Sequence, residues 1–520
     1  MYKNFSLDDP SVLMDAALDL ANYPVPPNDS VIESFLSRFP LPLLFLALET
    51  RGHVNGLEDA LVSCLRRVFK SNYGLSLLPH YMEFMLVGLT RGSPQVKCLA
   101  CETVGLLVDN GDETVSAVEI VANYDIYPLL LDCLINSTEE VANAAMDAIQ
   151  KIASSSGGMD IIFPDKEDET HLQNVAIQCS STGRIRVFSL MVKLYAASPI
   201  LASSVKDSNL ISLMDVEMRS SDDILAKLAI MELFYELADV PHGAQFLPVE
   251  SVIESLSDII SDLSENTLLR TRAMMIIGRL LSNEKILSSL DDKSVVSVLT
   301  VIVKVLDQEM KDLNECECAV GALGLIGSTI RGGNLLISSS FAKHVVDAAF
   351  GSHGLGIKLA GMNGLGNISG ETRGESSALL SDEAEETFKG LIYDASSKTS
   401  YLRPSGFFLS ALQQGSEIKL AAYRMLSSLI FRPWCLIETC SKREIVDILT
   451  DPITETEKPG MDAKYNCCKA IHKAIRLSSM TDNPSIAKIF AKLDEAVGRG
   501  PYAVGSKREA QPVVQTADRF

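Results

Sequence analysis

Cys98 and Cys101 form a C-x-x-C pair, the spacing of a thioredoxin-like redox couple and, when a second pair is present, of a zinc site. The chain has no second C-x-x-C, and none of its seven histidines stands at ligand spacing to this one. Cys316 with Cys318, and Cys467 with Cys468, fall on segments of helical pattern, where adjacent and alternate positions point in different directions. All three pairs read as core thiols. Gly364-Leu-Gly366-Asn-Ile-Ser-Gly370 resembles a loose dinucleotide-binding glycine pattern, which works only between a strand and a helix N-terminus. Here the preceding residues, Ile357 to Met362, are helical in pattern, and Gly366 aligns with Gly105, Gly278 and Gly324, so close helix packing is expected. His53, His80, His171, His242, His344, His353 and His472 are scattered singly. The acidic cluster Asp382, Glu383, Glu385 and Glu386 reads as the exposed face of a helix beginning at Ser381, with negative charge favoured near its N-terminus. No GxxxxGK[ST], GxSxG or HExxH occurs. No catalytic residue, no cofactor-binding residue and no metal ligand is therefore expected, and the protein is read as not an enzyme.

The elements that hold these residues repeat. Val96 to Leu107, VKCLACETVGLL, places Val96, Leu99, Ala100, Val104 and Leu107 on one apolar stripe at helical spacing. Related segments centre on Ala145, Ile230, Ala273, Ala319, Gly361, Ala422 and Ala470, with weaker copies at Ala16, Leu61 and Ser189. The anchors lie roughly 39 to 48 residues apart, with one wider gap between Gly361 and Ala422, which is the period of HEAT or armadillo repeats. The fold class expected is an all-α helical-repeat solenoid of about eleven repeats over residues 1–497. The repeat is expanded near 371–414, where Pro404 and Gly406 break regular structure, and a largely disordered tail follows at 498–520. Val295 to Val305 is β-branched enough to be a strand, but its place between repeat helices predicts a buried helix. Asp165 to Glu169 reads as a solvated loop, and Pro24, Pro26 and Pro27 as an extended linker. N-caps are expected at Asn28 to Ser30, Ser93, Asn136-Ser137, Ser220 to Asp223 and Asn266.

Composition narrows the function classes. Hydrophobic residues make up 47% and aromatics 6%, so the core must be Leu, Ile, Val, Ala and Met. With 67 acidic against 46 basic side chains the net charge is -21, which repels phosphate backbones and argues against nucleic acid as a partner. Eleven cysteines without a pairing pattern, and an N-terminus without a basic region leading into an apolar core, indicate a reducing compartment, the cytoplasm with the nucleus as a second possibility. Leu41 to Leu48 and Val295 to Val303 are the most apolar runs, both short of the roughly 20 residues that span a bilayer.

Several segments together resemble the 26S proteasome non-ATPase regulatory subunit 5 family. They are Leu237 to Leu247 (LADVPHGAQFL), Gly321 to Leu336 (GALGLIGSTIRGGNLL), Arg432-Pro433-Trp434, Asp462-Ala463-Lys464-Tyr465 and Gly500-Pro501-Tyr502-Ala503-Val504. Their order and spacing, from about Ser93 to Val504, carry the resemblance rather than any one motif. The resemblance implies a HEAT/armadillo-repeat assembly chaperone for the base of the proteasome regulatory particle, one that binds the C-terminal region of an AAA ATPase subunit and is absent from the mature particle. It carries over no catalytic residue. The alternative is an armadillo-type import adaptor or a general interaction scaffold. Import adaptors typically repeat Trp and Asn on their inner helices, whereas this chain has one tryptophan, Trp434, in what reads as a connecting segment.

The repeat geometry also predicts where a partner binds. If Ala100 and its equivalents face the core, the position two residues later is rotated about 200° away. That position gives Glu102, Asp147, Met191, Glu232, Met275, Gly321, Asn363, Arg424 and His472, with Glu317 one turn before Gly321. The polar members, Glu102, Asp147, Glu232, Glu317, Asn363 and Arg424, are the candidate partner-binding residues, expected on a concave face and suited in the N-terminal half to a basic partner. The plainer reading is that they are only the polar side of amphipathic helices. A monomer is expected when no partner is bound.

Overall fold

The computed structural model describes residues 10–24, 28–51, 54–110, 117–164, 171–308, 312–374, 379–478 and 483–502. Among them every regular element is helical and no strand occurs. The loop expected at Asp165 to Glu169, part of the proline linker, His53 and the tail from 503 onward lie outside the described residues.

Each of the eleven sequence anchors falls on a helix. These anchor helices are Pro10–Ala21, Leu57–Val68, Pro94–Asn110, Glu139–Ser154 and Ser181–Ala197 in repeats 1 to 5, and Ile224–Asp239, Thr267–Ser282 and Leu313–Ile326 in repeats 6 to 8. Leu355–Ile368, Ser416–Leu429 and Lys458–Leu477 complete repeats 9 to 11. Shorter helices connect them, such as Ile330–Ser338 and Ala342–Phe350 after repeat 8. The wide spacing between repeats 9 and 10 is filled by Asp382–Ser397, a 16-residue helix, and by Pro404–Leu412. The architecture is the all-α helical-repeat fold of the HEAT/armadillo kind, and its packing divides into two compact units, Met1–Leu247 and Pro248–Phe520. Repeats 1 to 6 belong to the first and 7 to 11 to the second, and within each unit consecutive anchor helices pack on one another.

Helix starts follow from local chemistry. Asn28 accepts from Val31 N, Asp223 from Leu225 N and Ala226 N, Asn266 from Leu268 N, and Ser93 from Val96 N, each satisfying donors that a helix N-terminus leaves open. Repeat 4 begins one residue later than expected, with Thr138 at the N-cap position and no side-chain cap bond. Val295 to Val305 lies within the helix Asp292–Leu306, whose stripe of Val295, Val298, Leu299, Ile302 and Val303 is buried, so packing overrides β-propensity.

The core is the apolar stripe the sequence defines. Ala100, Leu61, Ala145, Ile230, Ala273, Ala319 and Ala422 are buried, as is Gly361. In repeats 1, 5 and 11 the register is one residue off. Ala16, Ser189 and Ala470 are only half-buried, and the fully buried positions are Ala17, Phe188 and Ile471. One residue is a 100° turn of the helix, so the error moves a position from core to flank. Glycines set how closely the anchor helices approach. A Cβ on Gly324 would stand 2.5 Å from Gly364 Cα, and one on Gly278 would stand 2.8 Å from Ala322 Cα. The Gly364 to Gly370 run is thus a helix crossing and its approach, with no strand before it.

Candidate protein-binding surface

The candidate residues lie on their anchor helices as the repeat predicts, outward or half-outward. Asp147, Glu317, Asn363 and Arg424 are exposed, and Glu102 and Glu232 are half-buried. Gly321 is open, since a Cβ there would meet nothing within 4 Å. Met191 breaks the series because it is fully buried. Its neighbours Leu190 and Val192 are buried as well, and Lys193 is the half-buried polar residue of this turn.

Two of the candidate acidic residues of the Met1–Leu247 unit, Glu102 and Asp147, are tied to cations about one repeat away. Arg66 grips Glu102 with two bonds, Nε to Oε2 at 2.7 Å and Nη2 to Oε1 at 3.2 Å, and the Cys98 thiol donates to the same carboxylate at 3.6 Å. Lys193 Nζ reaches Asp147 Oδ1 at 2.8 Å. These pairs are separated by 36 and 46 residues, close to one repeat, and that is the signal by which sequence could have found them. In the Pro248–Phe520 unit the Glu317 carboxylate lies against Gly356, whose added Cβ would collide with it. Arg424 Nε stands 3.9 Å from Glu371 Oε1, and burial pushes the Glu371 carboxyl above its ordinary range. Arg424, Glu371, Lys458, Asp462 and Asn466 line an open cleft of about 600 Å³. Ser427 lines it too, with its hydroxyl donating to the Tyr423 carbonyl.

Arginines missed by the sequence reading hold repeats together through helix C-termini, where carbonyls lack partners and the dipole favours cations. Arg186 donates to the carbonyls of Leu134 at 3.1 Å and Ser137 at 2.8 Å. Arg373 donates to those of Ser328 and Gly327, both at 2.8 Å, and burial lowers its guanidinium to about 10. Arg432 is 2% exposed and makes a two-pronged bond to Glu385, with both contacts at 2.7 Å, while also reaching the Ser369 carbonyl. The acidic cluster at 382–386 is therefore not uniformly a solvated face, because Glu385 turns inward to this arginine and accepts from Leu380 N as well. Trp434 lies in the helix Pro433–Ser441 rather than in a connecting segment, with its ring against Tyr393.

Of the three pairs expected in the core, Cys101, Cys316, Cys467 and Cys468 are buried, whereas Cys98 and Cys318 are half-buried on the flanks of their helices. Cys101 is fully buried, and its hydrogen bond with Cys133 and its burial raise its pKa; burial raises that of Cys98. Both shifts move away from the thiolate that redox or metal chemistry needs. Among the described residues no group of three or more His, Cys, Asp or Glu is placed to hold a metal, and no single helix is long and apolar enough to cross a membrane.

The family-like segments are intramolecular clamps. Tyr195 donates to the Gly243 carbonyl at 2.8 Å while His242 Nε2 meets the Tyr195 carbonyl at 2.7 Å. Tyr502 donates to Asp462 at 2.6 Å, joining the last two of these segments. Stacked helices with exposed faces define this chain as a helical-repeat protein of the HEAT/armadillo kind. Residues 58–518 match the family described as proteasome non-ATPase 26S subunit, and the chain belongs to that family. It is 23% identical to 26S proteasome non-ATPase regulatory subunit 5 of Bos taurus over 452 residues, covering 85% of both chains. To the Homo sapiens protein of the same name it is 23% identical over 465 residues, covering 88% of this chain and 86% of that one. Among solved structures, Kap95 in its complex with Nup1 superposes with a TM-score of 0.58 at 14% identity, over 96% of this chain and 58% of Kap95. Importin beta gives 0.52 at 12%, over 97% and 64%. At such identities these structures define the fold alone.

Proposed function

We propose that this protein is a non-catalytic chaperone for assembly of the base of the proteasome regulatory particle, and that it acts by binding the C-terminal region of an AAA ATPase subunit. The family match over residues 58–518 carries this reading. The scaffold supports it, since stacked helices offer long exposed faces rather than a pocket with convergent reactive groups. The charge supports it too, because an acidic surface raises the association rate of a basic partner. The import-adaptor reading has the fold in its favour but lacks a repeated tryptophan, Trp434 being the chain's single one and packed against Tyr393.

The purified chain, mixed with recombinant base ATPase subunits one at a time and with intact 26S particles, is expected to bind a free subunit and to be missing from the intact particle. Stoichiometric retention on the intact particle, or binding to no subunit, overturns the proposal.

A further inference from the structure

Three consecutive anchor helices of the Pro248–Phe520 unit open with a leucine turned to solvent. Leu268 is 56% exposed, Leu313 67% and Leu355 52%, one repeat apart in sequence. Repeats 10 and 11 open instead with Ser416-Glu417 and Lys458-Pro459. The three openings lie side by side. Arg270 reaches Glu315 at 3.0 Å between the first turns of repeats 7 and 8, and Glu317 lies against Gly356 between those of repeats 8 and 9. With neighbouring helices about 8–10 Å apart, the leucines form a strip about 20 Å long. A lone exposed leucine is ordinary, but a periodic strip of them marks an interaction surface. In Met1–Leu247, repeat 6 opens in the same way, with Leu225 at 76% exposed.

The charges bordering the strip are mainly acidic. Asp262 and Glu265 precede the repeat 7 helix, Asp312 caps that of repeat 8, and Glu317 follows one turn later; Arg272 and Lys358 are the half-buried cations near the openings of these helices, with Arg279 at the far end of the first. Apolar knobs set among carboxylates complement a segment with one apolar and one basic face. We propose that Leu268, Leu313 and Leu355 form a docking strip for the apolar face of a basic amphipathic helix of the partner. This rests on the ATPase reading for the identity of that partner but not for its chemistry.

The test uses the full chain, the variant Leu268→Ser/Leu313→Ser/Leu355→Ser, a conservative variant with Met at the same positions, and a control variant Leu402→Ser/Ile453→Ser/Leu477→Ser altered at exposed positions elsewhere in the unit. The probes are a synthetic amphipathic Leu/Lys helix, its Leu/Glu counterpart and the purified base ATPase subunits. The Leu/Lys helix is expected to bind wild type, the Met variant and the control alike, and the strip variant about tenfold or more weakly, with the Leu/Glu helix failing throughout. Equal binding of the Leu/Lys helix to wild type and strip variant, or equal binding of the two peptides, overturns the strip. The ATPase subunit that binds wild type is expected to lose affinity for the strip variant in parallel. Loss with the peptide while no subunit binds wild type removes the ATPase reading and leaves the strip standing.

Discussion

The two units differ in the driest contacts that join their repeats. In Met1–Leu247 the ion pairs between repeats are half in water. Arg66 and Glu102 are 37% and 36% exposed, and Lys193 and Asp147 are 43% and 60%. Pro248–Phe520 has exposed pairs too, Arg331 with Asp292 at 32% and 65% and Lys492 with Asp447 at 59% and 57%, but it adds dry contacts, with Arg270 and Glu315 at 6% and 4%, Arg432 and Glu385 at 2% and 18%, and a glycine-to-glycine crossing at Gly324 and Gly364. Charge divides the same way. The first unit has 33 acidic and 16 basic residues, a net of -17, and the second has 34 and 30, a net of -4. Exposed pairs fix register weakly and yield easily, whereas buried pairs and glycine crossings allow one register and are costly to disturb. Arg186 is the exception in the first unit, reaching carbonyls of the neighbouring repeat as its counterparts in the second do.

The sharpest way to break this contrast is at Arg432. Replacing it with Leu leaves the inward-turned Glu385 carboxylate without its counter-charge, with the bond from Leu380 N remaining, removes a donor from the Ser369 carbonyl, and is expected to cost about 3 kcal/mol or more in chemical denaturation. A loss under about 1 kcal/mol would mean the pair is no more than a surface bridge. Next in size, Gly324→Val places a branched side chain where a Cβ would already stand 2.5 Å from Gly364 Cα, and is expected to cost about 1–3 kcal/mol through overpacking. An unchanged melting temperature would show that this crossing can open freely.

In the acidic unit the expected effects are smaller. Asp223→Ala removes a cap that accepts from both Leu225 N and Ala226 N and should cost about 1 kcal/mol. Arg66→Ala should cost less than about 1 kcal/mol, and the loss should shrink further as salt rises, since the pair is solvent-screened. A salt-independent loss of several kcal/mol there would erase the distinction between the units.

What was legible in sequence is what repeats. Apolar spacing located all eleven anchor helices because each must bury one stripe, and the glycine alignment anticipated the close crossings because only a missing Cβ permits them. Register failed at Ala16, Ser189 and Ala470 because the neighbouring residue, Ala17, Phe188 or Ile471, is equally or more apolar than the anchor chosen and takes the core position. The inward turn of Glu385 was hidden because four acids in one turn look alike until a partner 47 residues away is placed beside one of them. The candidate residues were legible as an outward position but not as paired ones, since Arg66 and Lys193 are near Glu102 and Asp147 only once the repeats stack. The exposed leucines at the openings of repeats 7 to 9 carry no mark in the sequence that separates them from the leucines of the core.

The smallest effect concerns pH, and it again separates the units. Glu315 and Glu371, whose carboxyls burial pushes above the ordinary range, both lie in Pro248–Phe520, with Arg270 and Arg424 opposing the shift. A folded-state pKa above the unfolded value means that the native state holds more protons than the unfolded state between the two values. Stability contributed by such a group is present below the unfolded pKa and is lost as pH rises through the folded one. Glu371→Gln removes a charge that burial disfavours, so the variant should gain stability relative to wild type as pH rises through and above the ordinary carboxylate range, and show no gain below it. Arg424, 52% exposed and 3.9 Å away, keeps its hydration when its neighbour turns neutral, so the lost pair should not cancel the gain. Melting curves of the two proteins across that range decide it. If the difference between them does not change with pH, or reverses so that Gln is the weaker at higher pH, then the Arg424 pair outweighs burial at this position.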